Sequence, residues 1–145
     1  MKSTIKTIWT LLQLGKPADM KNVSQVILTI EIYMDGISCT SNDGIHLTRT
    51  YTADYHGDVK REFSRVLVHE MAHVWQWNEN GQAPGGLIEG IANFIVKGWL
   101  WFDITIWFLN YWNSLNSGFM AKLNQMMRRG YRDDYFIELL GKSIH

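Results

Sequence analysis

The stretch with the clearest chemical content is 69–73, which reads His-Glu-Met-Ala-His. On an α-helix, residues four positions apart lie on one face, about 6 Å apart along the axis, so His69 and His73 could both reach one metal ion. Glu70 then stands beside that ion. A metal held in this way polarises a carbonyl and acidifies a bound water, while the glutamate takes the proton of the water. The spacing therefore predicts hydrolysis at a metal centre.

A catalytic zinc ion normally has three protein ligands and keeps a fourth position for water. We predict Glu89 as the third ligand because it follows His73 after fifteen intervening residues, just past the chain reversal Pro84-Gly85-Gly86. Asn93 lies four residues further on and should share the helix face of Glu89. Its side-chain oxygen is predicted to accept the outer N–H of a zinc-bound imidazole, which fixes the orientation of the ring.

A plainer interpretation of the motif stays open, namely two histidines and a glutamate on a solvated helix face without metal. His46, His56 and His145 have no spaced partner and are predicted to be surface or loop residues. Cys39 would be a nucleophile only with a paired base, and the sequence indicates none. A set of tryptophans is predicted to serve core packing rather than a substrate cleft. These are Trp75, Trp77, Trp99, Trp101, Trp107 and Trp112.

Composition limits the partners and the number of domains. The 145 residues are 46% hydrophobic, which suffices for one domain with its own core. Fourteen basic and fourteen acidic residues cancel, so nothing favours electrostatic capture of nucleic acid. The segment after Lys6 lacks the continuous apolar core of a signal peptide, and the apolar run 99–112 is too short to span a membrane. With one cysteine, an internal disulfide is excluded.

In the first half of the chain, apolar spacing from Ile5 to Leu12 predicts a short helix that ends before Pro17. Alternation over 26–34 predicts a strand that leads into a tight turn, followed by a second strand through Cys39. After a turn at 41–44, we expect 45–51 to form a third, partly exposed strand. The short connections predict antiparallel pairing.

In the second half, Asp58 is expected to cap a long helix that carries the histidines and buries Val59, Phe63, Val66, Leu67 and Val74. The glycines and proline of 78–86 stop it. A further helix is predicted over 87–96, and three more over 102–115, 117–129 and 133–140, the last two stopped by glycines. The order of helix, strands and helices predicts an α+β domain.

The run 57–62, followed by HEMAHVWQWNENGQAPGGLIEGIANF, strongly resembles the plant basic secretory protein family, which also has bacterial members. The resemblance extends back through PADMKNVSQVILTIEIYMDG and SNDGIHLT. It extends forward through NSLNSGFMAKLNQMMRRGYRDDYFIELLGKS. It covers most of the chain.

That family is similar to the zincins, in which HExxH supplies two zinc ligands and a downstream glutamate supplies the third. The resemblance therefore implies Zn²⁺ as cofactor, held by His69, His73 and Glu89. The segment from Glu89 to Asn93 is similar to the downstream motif of thermolysin-like enzymes, in which an aspartate stands at the position of Asn93 and holds a ligand histidine. An amide accepts the same hydrogen bond without the charge.

The resemblance further implies one zincin-like α+β domain over 1–145, with a small, mainly antiparallel sheet on the active-site helix and a helix-rich C-terminal half. Relative to the family, the chain is expected to be shortened at its N-terminus and between residues 97 and 103. An extracellular location in the apoplast is implied, although the missing signal peptide leaves intracellular retention open.

The resulting expectation is a zinc metallo-endopeptidase, with Glu70 as general base and then as proton donor to the leaving amine. We expect a monomer that binds a peptide or protein substrate, with no nucleic-acid partner and no membrane span, and a role in plant defence. The strand 45–51 would bind extended peptide at the edge of the sheet. The alternative is a non-catalytic, shortened family member that acts in binding or defence. A purely structural metal site would leave Glu70 without a task.

Overall fold

The computed structural model describes residues 2–42, 44–78, 81–97 and 104–141. Its helices and strands follow one another in an order that confirms the predicted α+β class. They are α1 (Lys2–Leu11), β1 (Ile27–Glu31), β2 (Ser38–Ser41), β3 (Gly44–Thr48), α2 (Arg49–Asp54), α3 (Val59–Trp75), α4 (Gly85–Lys97), α5 (Ile104–Leu115), α6 (Phe119–Met126) and α7 (Tyr135–Leu140). The predicted shortening between 97 and 103 falls on 98–103, outside the described residues.

Helix α3 begins where the sequence predicts, because the side chain of Asp58 accepts a hydrogen bond from the backbone N–H of Arg61 at 3.0 Å. This bond satisfies one of the amides that the first helical turn leaves without a partner. Val66 and Val74 are buried as predicted, whereas Val59 is 44% exposed. The prediction for Val59 was wrong because the first turn of α3 projects beyond the core.

The three strands form one sheet in the order β1-β3-β2, so β3 is central. β2 and β3 are antiparallel, as predicted, but β1 and β3 are parallel. The expected mainly antiparallel sheet is therefore a mixed one. Its cause is the path of the chain: after β1 it first forms the far edge as β2 and then returns through a short turn into the middle.

Strand β3 is central and not an edge, contrary to the prediction. It is partly exposed as expected, since His46 is half-buried, while Ile45 and Leu47 on either side of it are almost fully buried. It ends at Thr48, and Arg49 to Tyr51, predicted as strand, belong to α2. Here packing against α3 decides the conformation, because the hydroxyl of Tyr51 donates to Glu62. β1 is also shorter than the predicted 26–34, because its five residues pair with the five residues of β3.

The core lies between α1, α3, α4 and α6. Trp75 is buried and meets Trp9 edge-on, with ring centroids 5.2 Å apart, while Trp77 and Trp112 are partly buried against the same core. These three tryptophans confirm the predicted packing role. Trp99 and Trp101 lie outside the described residues, as does the side chain of Trp107. The largest fully buried side chains include Ile8, Leu12, Leu14, Ile91, Ile95, Phe119, Leu123 and Met127.

The last two predicted helices are present in shorter form. α6 ends at Met126, and the positions up to Arg129 form turns. α7 ends at Leu140, and the residue that follows, Gly141, has a φ of 64°, the left-handed conformation that glycine adopts without steric cost. None of the described helices is long and apolar enough to cross a lipid bilayer.

Candidate metal centre

Three side chains from α3 and α4 converge on one point. Nε2 of His69 lies 3.0 Å from Nε2 of His73 and 3.0 Å from Oε2 of Glu89. Nε2 of His73 lies 3.4 Å from Oε1 of Glu89. Within the described part of the chain, these residues form the one group of three or more histidine, cysteine or acidic side chains whose ligand atoms all lie within 4.8 Å of one another. The structure thus brings together the three predicted ligands.

The spacing of these atoms suits a zinc ion. In tetrahedral coordination with bonds of 2.0–2.1 Å, neighbouring ligand atoms are about 3.3 Å apart. The distances of 3.0, 3.0 and 3.4 Å in the site are close to that value. Two imidazole nitrogens and one carboxylate oxygen are also donor types that zinc binds. The residues present therefore fit the metal that the motif implies.

The reversal between α3 and α4 places Glu89 opposite the histidines. The amides of Leu87 and Ile88 donate to the carbonyl oxygen of Pro84 at 2.9 and 3.2 Å, which starts α4 directly after the loop. Ala72 on α3 and Ala92 on α4 are both fully buried in the common core. Small side chains allow neighbouring helices to approach closely. The close packing of α3 and α4 thus brings Glu89, which lies early in α4, next to the histidines.

The surroundings favour a neutral imidazole at His73. Burial lowers the pKa of His73, and a charged His69 ring next to it would lower it further, although Glu89 and Glu70 act in the opposite direction. A neutral histidine is the form that binds a metal. The side chain of Glu89 is 58% exposed, so the site opens to solvent on the side of α4.

Glu70 faces the sheet edge beside the histidines. Its side chain is almost fully buried, and its two carboxylate oxygens accept hydrogen bonds of 2.6 Å from the hydroxyls of Ser38 and Thr40 on β2. Sequence reasoning missed these two residues. The available signal was their alternation in Ser-Cys-Thr-Ser, which puts both hydroxyls on one face of a strand.

Gln76, the residue after α3, makes the second contact that sequence reasoning missed. Its side chain is fully buried, and Nε2 lies 2.7 Å from Nδ1 of His73 and 3.2 Å from the carbonyl oxygen of Ile88. Asn93, predicted for such a contact, is half-buried on α4. Among the described residues no hydrogen bond joins Asn93 to either imidazole, so its role remains a prediction.

The polar face of α3 continues one turn before His69. The guanidinium of Arg65 bonds both carboxylate oxygens of Glu62, and Tyr51 donates to the same carboxylate. The hydrogen bond from Arg65 holds the pKa of Glu62 below its ordinary value, while burial and the contact with Glu62 raise the pKa of Tyr51. These contacts join α2 to α3.

The remaining histidines and the cysteine lie elsewhere. His46 is half-buried on β3, and its Nδ1 lies 2.8 Å from Oε1 of Glu31, while His56 is exposed. Cys39 is exposed and stands opposite His46 in the antiparallel ladder. His145 lies outside the described residues.

The comparison with protein families gives a match over essentially the whole chain. A family model described as "Peptidase of plants and bacteria" matches residues 1–99 and 101–145. The chain belongs to this family. The resemblance predicted from the HEMAH and EGIAN segments is thereby confirmed. No curated protein and no solved structure gives a significant match to the chain, so the zincin-like fold has no structural neighbour to support it.

Proposed function

We propose that this member of the family is a zinc-dependent endopeptidase. The observation that carries the proposal is the convergence of His69, His73 and Glu89 at distances that fit one zinc ion, in a chain whose family is described as peptidases. A zinc ion bound there would polarise the substrate carbonyl and acidify a coordinated water. Side chains of the protein would then bind the substrate and move the proton.

Glu70 is proposed as the general base and then as the proton donor to the leaving amine. It follows the ligand His69 directly in the chain, and its charge acts on His73. An ionised carboxylate offers about four lone-pair positions, so hydroxyl donors at two of them leave room to accept a proton. Ser38 and Thr40 hold the carboxylate at a defined position, which a general base requires.

An extended peptide is proposed to bind along β2 rather than along β3. Among the described strands β2 pairs only with β3, so its other edge can form a ladder with a substrate strand. β2 also carries the two hydroxyls that contact Glu70, which brings that edge next to the proposed base. This correction follows from the central position of β3 in the sheet.

A non-catalytic, binding or defence-related member is the second candidate. The observation in its favour is that both carboxylate oxygens of Glu70 already accept hydrogen bonds from β2, which would also suit a purely structural carboxylate. Such a protein would bind zinc and peptide without cleaving the peptide.

The deciding experiment measures zinc content and turnover together on purified protein. We expect about one zinc per chain and cleavage of an unstructured protein substrate that a chelator abolishes and zinc restores. Glu70→Gln should keep the zinc and lose the cleavage, because an amide cannot accept the proton. The control is Glu138→Gln, an exposed carboxylate on α7. Zinc binding with no turnover in the parent supports the non-catalytic candidate, and absence of zinc binding refutes both.

Extracellular location, a role in defence and a monomeric state complete the proposal. The location and the role in defence rest on the family resemblance, and the monomeric state is an expectation. A fluorescent fusion of the natural gene product should reach the medium of plant cells, and its transcript should rise on pathogen challenge. Light scattering should give the mass of one chain. A retained fusion or a dimer mass would overturn the corresponding part.

A further inference from the structure

We propose that Gln76 positions His73 for metal binding, with its amide oxygen accepting the Nδ1–H of the ring when a metal is present. This inference rests on the proposed metal site of the preceding section. Gln76 is the fully buried residue that joins the end of α3 to the start of α4, next to Glu89. It therefore touches both elements that carry the predicted ligands.

The protonation of the His73 ring links Gln76 to the metal. Nε2 of His73 points at Nε2 of His69 and at Glu89, so Nε2 is the atom that must carry a free lone pair for a metal. A neutral imidazole has one N–H, which then has to be on Nδ1. The partner of Nδ1 must in that state be a hydrogen-bond acceptor.

The amide of Gln76 has two orientations with different consequences. In the structure its nitrogen faces Nδ1 of His73 and also donates to the carbonyl oxygen of Ile88. This orientation makes Nδ1 an acceptor, which puts the ring N–H on Nε2 and blocks metal binding there. It also leaves Oε1 buried with no hydrogen-bond partner among the described residues. A buried acceptor without a partner costs free energy.

Turning the amide by 180° places the oxygen at Nδ1 and moves the nitrogen to the position of the unsatisfied atom. The ring N–H then donates to Gln76, and the Nε2 lone pair faces the ligand cluster. The turn gives up the hydrogen bond to the carbonyl oxygen of Ile88 and places two acceptor oxygens close together, a cost that metal binding must offset. Metal binding and amide orientation are coupled through one imidazole, and Gln76 acts as a positioning residue.

Two substitutions separate this role from a purely structural one. Gln76→Leu removes acceptor and donor at similar size, and we expect zinc affinity to fall by about 10-fold to 100-fold. Gln76→Glu keeps an acceptor for Nδ1–H but has no N–H for the carbonyl oxygen of Ile88. It should bind zinc more tightly than Gln76→Leu. If Gln76 served only to tie α3 to α4, Gln76→Glu would be as weak as Gln76→Leu. Gln125→Leu, at an exposed position of α6, is the matched control.

A spectroscopic measurement on the parent protein tests the coupling without any substitution. Nitrogen-15 NMR of the imidazoles should show the His73 N–H on Nε2 without metal and on Nδ1 after zinc titration, with a simultaneous shift of the Gln76 amide protons. Parent-like zinc affinity in Gln76→Leu, or an unchanged Gln76 amide on titration, overturns the role of Gln76 alone. A parent that binds no zinc through His69, His73 and Glu89 overturns the proposed metal site itself.

Discussion

The hydroxyl of Thr40 contacts Glu70 twice, at 2.6 Å from the carboxylate oxygen Oε2 and at 3.0 Å from the backbone carbonyl oxygen. With the bond from Ser38 to Oε1, this contact fastens the buried carboxylate of α3 to the edge strand β2. Hydrogen bonds to a charged group are the stronger ones, since they offset the cost of removing that charge from water. The edge of the sheet and the helix with the HExxH motif therefore form one unit.

The first prediction concerns this contact. Thr40→Val keeps the shape of the side chain but removes the hydroxyl, and it should lower the free energy of unfolding by about 1–3 kcal/mol. Thr40→Ser keeps the hydroxyl and should recover most of that loss. Ser41→Ala, an exposed position in the same strand, is the control in a denaturant titration. If the proposed base is correct, Thr40→Val should also reduce kcat while zinc affinity stays constant. Equal stability of Thr40→Val and the parent would contradict the argument.

The second prediction concerns the third ligand. Removal of the carboxylate in Glu89→Ala should weaken zinc binding by at least about 100-fold, because two histidines alone do not complete a zinc site. The measurement is zinc affinity by competition with a chromophoric chelator. Glu138→Ala removes a comparably exposed carboxylate away from the site and should behave as the parent. Full zinc affinity in Glu89→Ala would exclude Glu89 from the site.

The third prediction concerns Asn93. Nδ1 of His73 is contacted by Gln76, so His69 is the imidazole that Asn93 is expected to serve when zinc is bound. Asn93→Asp supplies a charged acceptor and should tighten zinc binding by up to about 10-fold, and Asn93→Leu should weaken it. Isothermal titration of both variants tests this. If neither variant differs from the parent, Asn93 has no role in orienting a ligand.

The fourth prediction concerns pH. Because Arg65 holds the pKa of Glu62 below its ordinary value of 4.5, the folded state favours the ionised carboxylate. The resulting stabilisation is present above pH 4.5 and disappears as the pH falls through the lower folded-state pKa. Glu62→Gln should therefore cost about 1 kcal/mol at pH 7 and less at pH 3. The more exposed pair Arg132–Glu138 is the control, and Glu138→Gln should change the pH profile less. A pH-independent cost for Glu62→Gln would refute this account.

Strong local signals in the sequence were sufficient for most helices. The Asp58 cap, the glycines after α6 and α7, and the helical spacing of apolar residues define elements within a few positions, because caps and breakers act over one helical turn. The strand pairing could not be predicted in the same way. Alternation in 26–34 and 45–51 indicates strands, but it does not state which strand lies between the other two.

By itself, the sequence determined the identity of the chemistry-bearing residues: the helical spacing of His69 and His73 and the reversal before Glu89 already predict that the three side chains meet. Only the tertiary structure decided what surrounds them. Ser38, Thr40 and Gln76 reach Glu70 and His73 because of how β2 and α4 pack on α3. A hydrogen bond between residues far apart in the sequence forms only when packing places the donor and acceptor atoms to within a few tenths of an ångström. Residue spacing fixes positions along one helix, whereas packing between elements fixes the contacts across them.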